Sequence, residues 1–371
     1  MASRSETQRH RSRLWYLLPI FLTIAGGLAA YFLLRSSDPA VAKNALLIGI
    51  IITAVISAIA GAVYLAYLND MNLVRERLSV SKIVDTAMGK IEYADVGQGK
   101  PILSIHGAGG GFDQGLIAAE AFFNEETLHS HRVIAPSRFG YLQTPLPAGD
   151  AGPAAQGDAH AALLDALGIN EKVIVLGTSA GALSAQEFVI KYPDRVSALI
   201  LAVPAVWTPE STVEGSAEIG SDNFIANIVM RSDFAMWVFT KVAYSQLLTY
   251  VGVPENLQDK MTAQEKDDAK KLMDAILPVS QKVDGGTQEA VNMASKEWLT
   301  LESIRAPTIV IDAKDVVTYP GSKYAAEHIP NAKLVAFETG GHLLVGHGED
   351  ARAAVQDFLR KQEVLTQLTQ Q

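Results

Sequence analysis

The chain changes its hydrophobic rhythm twice, and each rhythm predicts a different kind of element. Residues 14–34 and 45–68 are nearly continuous apolar runs with no charge. Each matches the roughly 20 residues a helix needs to cross the hydrocarbon of a bilayer. Trp15, Tyr16, Tyr31, Tyr64 and Tyr67 stand near the ends of the runs, where aromatic rings settle at a membrane interface. Gly26, Gly27 and Gly61, with nearby alanines, would let two such helices pack closely. These features predict a transmembrane helical hairpin over residues 1–70, followed by a linker over 71–80. A cleaved signal peptide fits less well, because the first run is too long and a second follows at once.

From Ser81 onward short apolar runs alternate with helical spacing. Residues 82–86 and 90–94 read as strands joined by a Met-Gly turn. Residues 101–105 (PILSI), 132–135 (RVIA), 172–176 (KVIVL), 196–203 (VSALILAV), 308–312 (TIVID) and 333–337 (KLVAF) read as further strands. Several are apolar at every position, as strands buried on both faces are. Residues 154–167 have helical spacing with Gly168 as C-terminal cap, and residues 180–192 form a helix stopped by Pro193. Strands alternating with helices predict a mostly parallel α/β sheet, built from residues 81–204 and 305–365. Between 205 and 304 the strand rhythm stops. Residues 223–239 and 242–251 are apolar and aromatic and 262–277 are amphipathic, which predicts an inserted helical cap or lid. Insertions of this length in a compact domain are usually functional.

Charge sets an expected topology. Arg4, Arg9, Arg11 and Arg13 precede the first apolar run, and Arg75, Arg77 and Lys82 follow the second. The connecting loop has only Arg35 and Lys43, with Asp38 between. The positive-inside rule then places both ends of the chain, and the domain after the hairpin, in the cytoplasm. The chain has 371 residues, 49% of them hydrophobic, and a formal charge of −9. No basic stripe with interleaved aromatics points to nucleic acid. Without a single cysteine, disulfides, thiolate metal sites and a cysteine nucleophile are excluded. The eight histidines are scattered, with no H-E-x-x-H grouping, so neither a metal nor another cofactor is expected.

Four segments carry candidate chemistry. Gly177-Thr178-Ser179-Ala180-Gly181 matches G-x-S-x-G between a predicted strand and a predicted helix, the context that gives this motif its meaning. Small neighbours permit the sharp turn that exposes the Ser179 hydroxyl at a helix N-terminus, where developing negative charge is favoured. A neutral serine needs a base, and His342, in Glu338-Thr339-Gly340-Gly341-His342 directly after the last strand, is the candidate. His347 has no strand directly before it. The base needs an acid to orient it. Asp315, in the loop after the strand at 308–312, is favoured over Asp312, whose place at the strand end suits a bond to backbone. Finally, His106-Gly107-Ala108-Gly109-Gly110-Gly111 follows the strand PILSI. A tetrahedral oxyanion needs two aimed N–H donors. Ala180 would supply one and Ala108 the other, with Gly109 as alternate, while His106 would hold the loop. The glycines are not a phosphate loop, since neither G-K-[ST] nor G-x-G-x-x-G is present.

With HGAGGG, GTSAG and GGH in this order, the chain resembles the α/β-hydrolase superfamily over about residues 81–365, the insertion excepted. The order Ser179, Asp315, His342 is the one this fold uses. The resemblance implies a serine hydrolase acting on carboxylic esters, thioesters, lactones or amides through an acyl-enzyme, and Phe112, Asp113 and Gln114 as pocket residues behind the oxyanion loop. Carbon–carbon bond hydrolysis and cofactor-free peracid formation are alternatives within the same family. Fold does not dictate function, so a non-catalytic ligand receptor or a membrane scaffold remains a further alternative. The sequence departs from many relatives after RVIA, where Pro136-Ser137-Arg138-Phe139-Gly140-Tyr141 has no acidic residue. The expected partners are a small, apolar acyl substrate, covered by cap aromatics Phe224, Phe234, Trp237, Phe239, Tyr244 and Tyr250, and a lipid bilayer.

Overall fold

The structure is a computed structural model that describes residues 14–209, 229–295 and 298–369. The four arginines before the first apolar run lie outside the described residues, as does Phe224. The chain divides into two compact units, Met1–Leu73 and Val74–Gln371.

The first unit holds α1 (Leu17–Leu34) and most of α2 (Pro39–Leu78). Both are long and apolar enough to cross a membrane, by length and composition. They meet where glycine removes the side chain. A Cβ on Gly27 would lie 2.9 Å from the Ala45 carbonyl oxygen, and one on Gly49 would lie 2.7 Å from that of Thr23. Gly61, expected at this contact, has open space instead. The reason is a bend: Thr23 leaves helical geometry with φ of 53°, and the Tyr16 hydroxyl lies 3.5 Å from the Asn44 amide nitrogen. The Ile24 N–H freed by the bend donates to Thr53 Oγ1 at 3.0 Å. An apolar surround demands such a partner for every backbone N–H.

The second unit begins inside α2, which runs on to Leu78 through most of the stretch read as a linker. There follow β1 (Lys82–Thr86), β2 (Gly89–Gly97), β3 (Lys100–Ile105), α3 (Phe112–Phe122), α4 (Glu125–Ser130), β4 (His131–Pro136), α5 (Pro153–Ala166), β5 (Val173–Thr178), α6 (Gly181–Lys191) and β6 (Val196–Ala202). The described part of the cap contains α7 (Asp233–Val242), α8 (Tyr244–Tyr250), α9 (Glu255–Gln258), α10 (Ala263–Asp274) and α11 (Val283–Ala294). The chain then returns through β7 (Thr308–Ala313), α12 (Tyr319–His328), β8 (Lys333–Phe337) and α13 (Gly348–Thr369).

The strands form one sheet in the order β1-β2-β4-β3-β5-β6-β7-β8. The β1–β2 and β2–β4 pairings are antiparallel and the others parallel. Alternate strand residues face two cores. Leu103, Val175, Leu201 and Val310 pack with Leu163 and Phe188 on one side. Ile102, Leu176, Ile200 and Ile309 pack with Phe122, Val355 and Phe358 on the other. Burial on both faces is why these strands are apolar throughout. After β3 the chain steps outward to β4, then crosses back to place β5 on the other side of β3. The carboxyl ends of β3 and β5 therefore open onto a topological switch point, where α/β sheets place their sites.

The last turn of α2 is built into this unit. Arg77 Nε donates to Asp113 Oδ2 at 3.0 Å, and Nη2 donates to the carbonyls of Leu277 at 2.8 Å and Asp274 at 3.2 Å. Lys282, buried, lies 3.7 Å from the other Asp113 oxygen and donates to the Ala275 carbonyl. One carboxylate on α3 thus ties the end of α2 to the cap.

Candidate active site

The elbow after β5 is shaped by what its glycines exclude. Ser179 has φ of +51°, a region that costs a side-chain-bearing residue energy and persists only where surroundings enforce it. A Cβ on Gly177 would sit 2.6 Å from Ala185 Cβ, and one on Gly181 would sit 2.2 Å from the His106 carbonyl oxygen. Neither position admits a larger residue, so both glycines of the motif are required by packing. The strained residue is held on both sides, with Ser179 N donating to Ala202 O at 3.0 Å and Ser179 O accepting from Ala205 N at 2.9 Å.

His342 arrives from the loop after β8, and its Nε2 stands 3.0 Å from Ser179 Oγ across 163 residues of sequence. Its ring is half-buried. Desolvation lowers its pKa from 6.5 to about 4, so the imidazole is neutral and able to accept a proton at neutral pH. A cap residue that sequence reading missed holds it in place. Gly252, at φ +88°, accepts the His342 N–H at 2.8 Å, and a Cβ there would lie 2.8 Å from His342 Cβ. The only sequence signal was a glycine between Val251 and Val253, bland by itself.

The two acid candidates separate. Asp312 is fully buried and occupied, accepting from Ser322 Oγ at 2.6 Å and from Ala313 N at 2.8 Å. Burial raises its pKa despite these bonds. Asp315 lies beneath the turn that carries the base. It accepts from Gly340 N at 3.2 Å and Gly341 N at 3.1 Å. Its hydrogen bonds therefore go to the backbone leading into His342 and not to the ring. His347 points elsewhere, stacked on Phe337 with centroids 4.3 Å apart.

The loop after β3 crosses directly over the elbow, and a Cβ on Gly107 would lie 3.0 Å from Ser179 Cβ. Ala108 is exposed, and Gly109 N faces the Tyr141 hydroxyl at 3.4 Å. The Gly109 N–H is thus engaged by a side chain, while Ala180 stands at the start of α6. His106 is buried and structural. Its Nε2 accepts from Arg138 N at 2.9 Å, which leaves Nδ1 to carry the proton and donate to Gly107 O at 2.7 Å. Burial lowers its pKa well below 6.5, in keeping with this neutral tautomer.

The expected pocket residues divide. Phe112 is fully buried against Ala94 and Ala135. Asp113 is consumed by Arg77 and Lys282. Both follow the loop in sequence, and α3 buries them. Gln114 remains beside the loop, its Oε1 2.4 Å from where a Gly110 Cβ would be. In the cap, Phe234 stacks on Trp237 at 6.0 Å between centroids, a contact internal to the cap.

A family model described as alpha/beta hydrolase fold matches residues 100–229. The chain is 25% identical over 299 residues to a 2-hydroxymuconate semialdehyde hydrolase of Pseudomonas putida, covering 80% of this chain and 99% of that protein. Among solved structures, an alpha/beta hydrolase fold protein from Nakamurella multipartita superposes with a TM-score of 0.61 at 25% identity, covering 76% of this chain and 99% of that one. A thermophilic esterase from Thermogutta terrifontis gives a TM-score of 0.57 at 25% identity, with 76% and 98% covered.

Proposed function

We propose that this chain, which has the α/β-hydrolase fold, is a membrane-held serine hydrolase that cleaves carboxylic esters through an acyl-enzyme on Ser179. The observation that carries the reading is the 3.0 Å approach of a neutral His342 Nε2 to the Oγ of Ser179. In this reading His342 takes the hydroxyl proton as Ser179 attacks the carbonyl carbon. The oxyanion is received by the N–H groups of Ala180 and Ala108, and each such donor is worth roughly 100- to 1000-fold in turnover. Collapse expels the alcohol, which takes the proton from His342. Water, deprotonated by the same imidazole, then releases the acid and restores the serine. Asp315 steadies the Gly340–Gly341 turn that leads into His342. The apolar helices hold the enzyme at a bilayer, with the catalytic unit on the cytoplasmic side by the charge count. An apolar cap beside a membrane suits an acyl substrate of the same character.

A second reading is favoured by one observation, the 25% identity to a hydrolase named for 2-hydroxymuconate semialdehyde. The same nucleophile and base, aimed at a carbonyl flanked by a carbon leaving group, would serve carbon–carbon cleavage.

The deciding experiment labels the intact chain with a fluorophosphonate probe beside Ser179→Ala. Turnover of p-nitrophenyl esters from acetate to palmitate is then compared with that of 2-hydroxymuconate semialdehyde. Labelling is expected in the intact chain and absent in the variant, with ester turnover dominant. Dominant turnover of the semialdehyde selects the second reading. No labelling of a well-folded chain removes both and leaves a ligand receptor.

A further inference from the structure

A buried charge network outside the nucleophile and base joins the cap to the oxyanion loop. Arg138, Tyr141 and Glu289 are 3%, 1% and 6% exposed, and Glu289 comes from α11 of the cap. Arg138 Nη2 forms an ion pair with Glu289 and donates to the Gly107 carbonyl at 3.1 Å, while Nη1 donates to Gln156 at 3.3 Å. The guanidinium also lies 5.3 Å from the centre of the Tyr141 ring. The Tyr141 hydroxyl donates to the same Glu289 oxygen at 3.4 Å and accepts the Gly109 N–H at 3.4 Å. The helix is seated by a glycine pair. Gly285 N donates to Gly140 O at 2.9 Å, and a Cβ on Gly285 would sit 2.4 Å from the Tyr141 ring.

The residue bracketed by these contacts is Ala108. Its N–H belongs to the same planar trans peptide as the Gly107 carbonyl, and the two point in opposite directions. Holding that carbonyl with Arg138 and with His106 Nδ1 therefore aims the Ala108 N–H the other way, out of the loop. The peptide is preceded by a glycine, which lowers the steric resistance to flipping on that side, so its orientation draws on such partners. Glu289 keeps Arg138 in position and offsets its charge, which would otherwise be buried alone.

We propose that Glu289, acting from the cap through Arg138, is a positioning residue that locks the Gly107–Ala108 peptide in the orientation an oxyanion hole requires. The inference rests on the hydrolase reading. In it the cap contributes to the chemical step as well as to the walls of the pocket.

The test must separate a lost lock from a damaged fold. Removing one member leaves a buried charge unpaired, whereas replacing both by apolar groups of similar volume is often tolerated. The double variant Arg138→Met with Glu289→Leu is compared with wild type by kcat, KM and the rate of fluorophosphonate labelling on the ester that wild type turns over best. Circular dichroism and thermal melting report the fold. The expected result is a fall in kcat of roughly 100-fold, the scale of one oxyanion donor, with KM within about threefold and labelling slowed in parallel. Glu289→Gln keeps the shape of the side chain and loses the charge. It should show the same split at about a tenfold loss, and it decides the matter if the double variant does not fold. Wild-type kcat in a folded variant, or a loss confined to KM, overturns the proposal and leaves the hydrolase reading intact. Absence of labelling and turnover in wild type would instead remove the hydrolase reading itself.

Discussion

At Ser179 the backbone and the side-chain chemistry depend on one another. A serine at φ +51° is stable only because glycine at 177 and 181 lets Ala185 and the His106 carbonyl close around it. The same closure presents the hydroxyl to His342. That imidazole has a consequence for pH. Its pKa is lowered to about 4 by desolvation, so it remains a base at acidities where an ordinary histidine, near 6.5, is protonated. Protonation removes the base, so activity falls as pH drops through this value and is retained above it. The acid limb of kcat/KM is therefore expected to have its midpoint nearer 4 than 6.5. A pH-rate profile with a midpoint at or above 6.5 would mean that burial does not hold the imidazole neutral in the free enzyme. The close pair of Ser179 and His342 was legible because the motifs that carry them are local, each defined by a few adjacent residues that follow a strand. Asp315 was legible by its place after a strand, although its bonds go to the turn and not to the ring.

Elements were legible in proportion to how locally their burial is recorded. The strands at 82–86 and 333–337 fall on the residues their apolar pattern predicts, and β5 to β7 shift by only a residue or two at their ends. Helices that owe their position to fit were not legible. α3 is rich in alanine and follows a run of glycines. α11 opens with Gly285-Gly286, a poor start for a helix on propensity, and is seated by Gly285 against a tyrosine far back in the chain. Glu289 was invisible for the same reason, since 148 residues separate it from Tyr141. The last turn of α2 was read as linker because its charged residues break the apolar run, yet those charges are what tie it down. Arg77 makes three hydrogen bonds, and Asp113, its carboxylate partner, is 3% exposed. Charged hydrogen bonds of this kind contribute about 1.5–3 kcal/mol. A chain shortened to begin at residue 74 should keep the melting temperature of the catalytic unit. One beginning at residue 80 should melt about 5 °C lower, taking roughly 2–4 °C per kcal/mol for a unit of this size. Equal melting temperatures in a calorimetric scan would show that the Arg77 bonds contribute nothing to stability.

For the whole catalytic unit, the number of points at which the cap is fastened matters more than its length. Besides its two covalent ends, the cap is bound through Arg77 to Asp274 and Leu277, through Gly252 to His342, through Gln281 to Leu142, through Glu289 to Arg138 and through Glu265 to Gly346. One of these contacts is to His342 itself. Swinging the described cap aside as one piece would break the hydrogen bond that seats His342 and the ion pair beside the oxyanion loop. Opening and catalytic competence would then be mutually exclusive. Among the described residues, then, closure of the cap goes with a seated His342, and no oil–water boundary is needed to unlatch it. The enzyme's rate on a sparingly soluble ester should follow a plain saturation curve through the concentration at which micelles form. An abrupt jump in velocity at that concentration would show that the cap unfastens as a hinge after all.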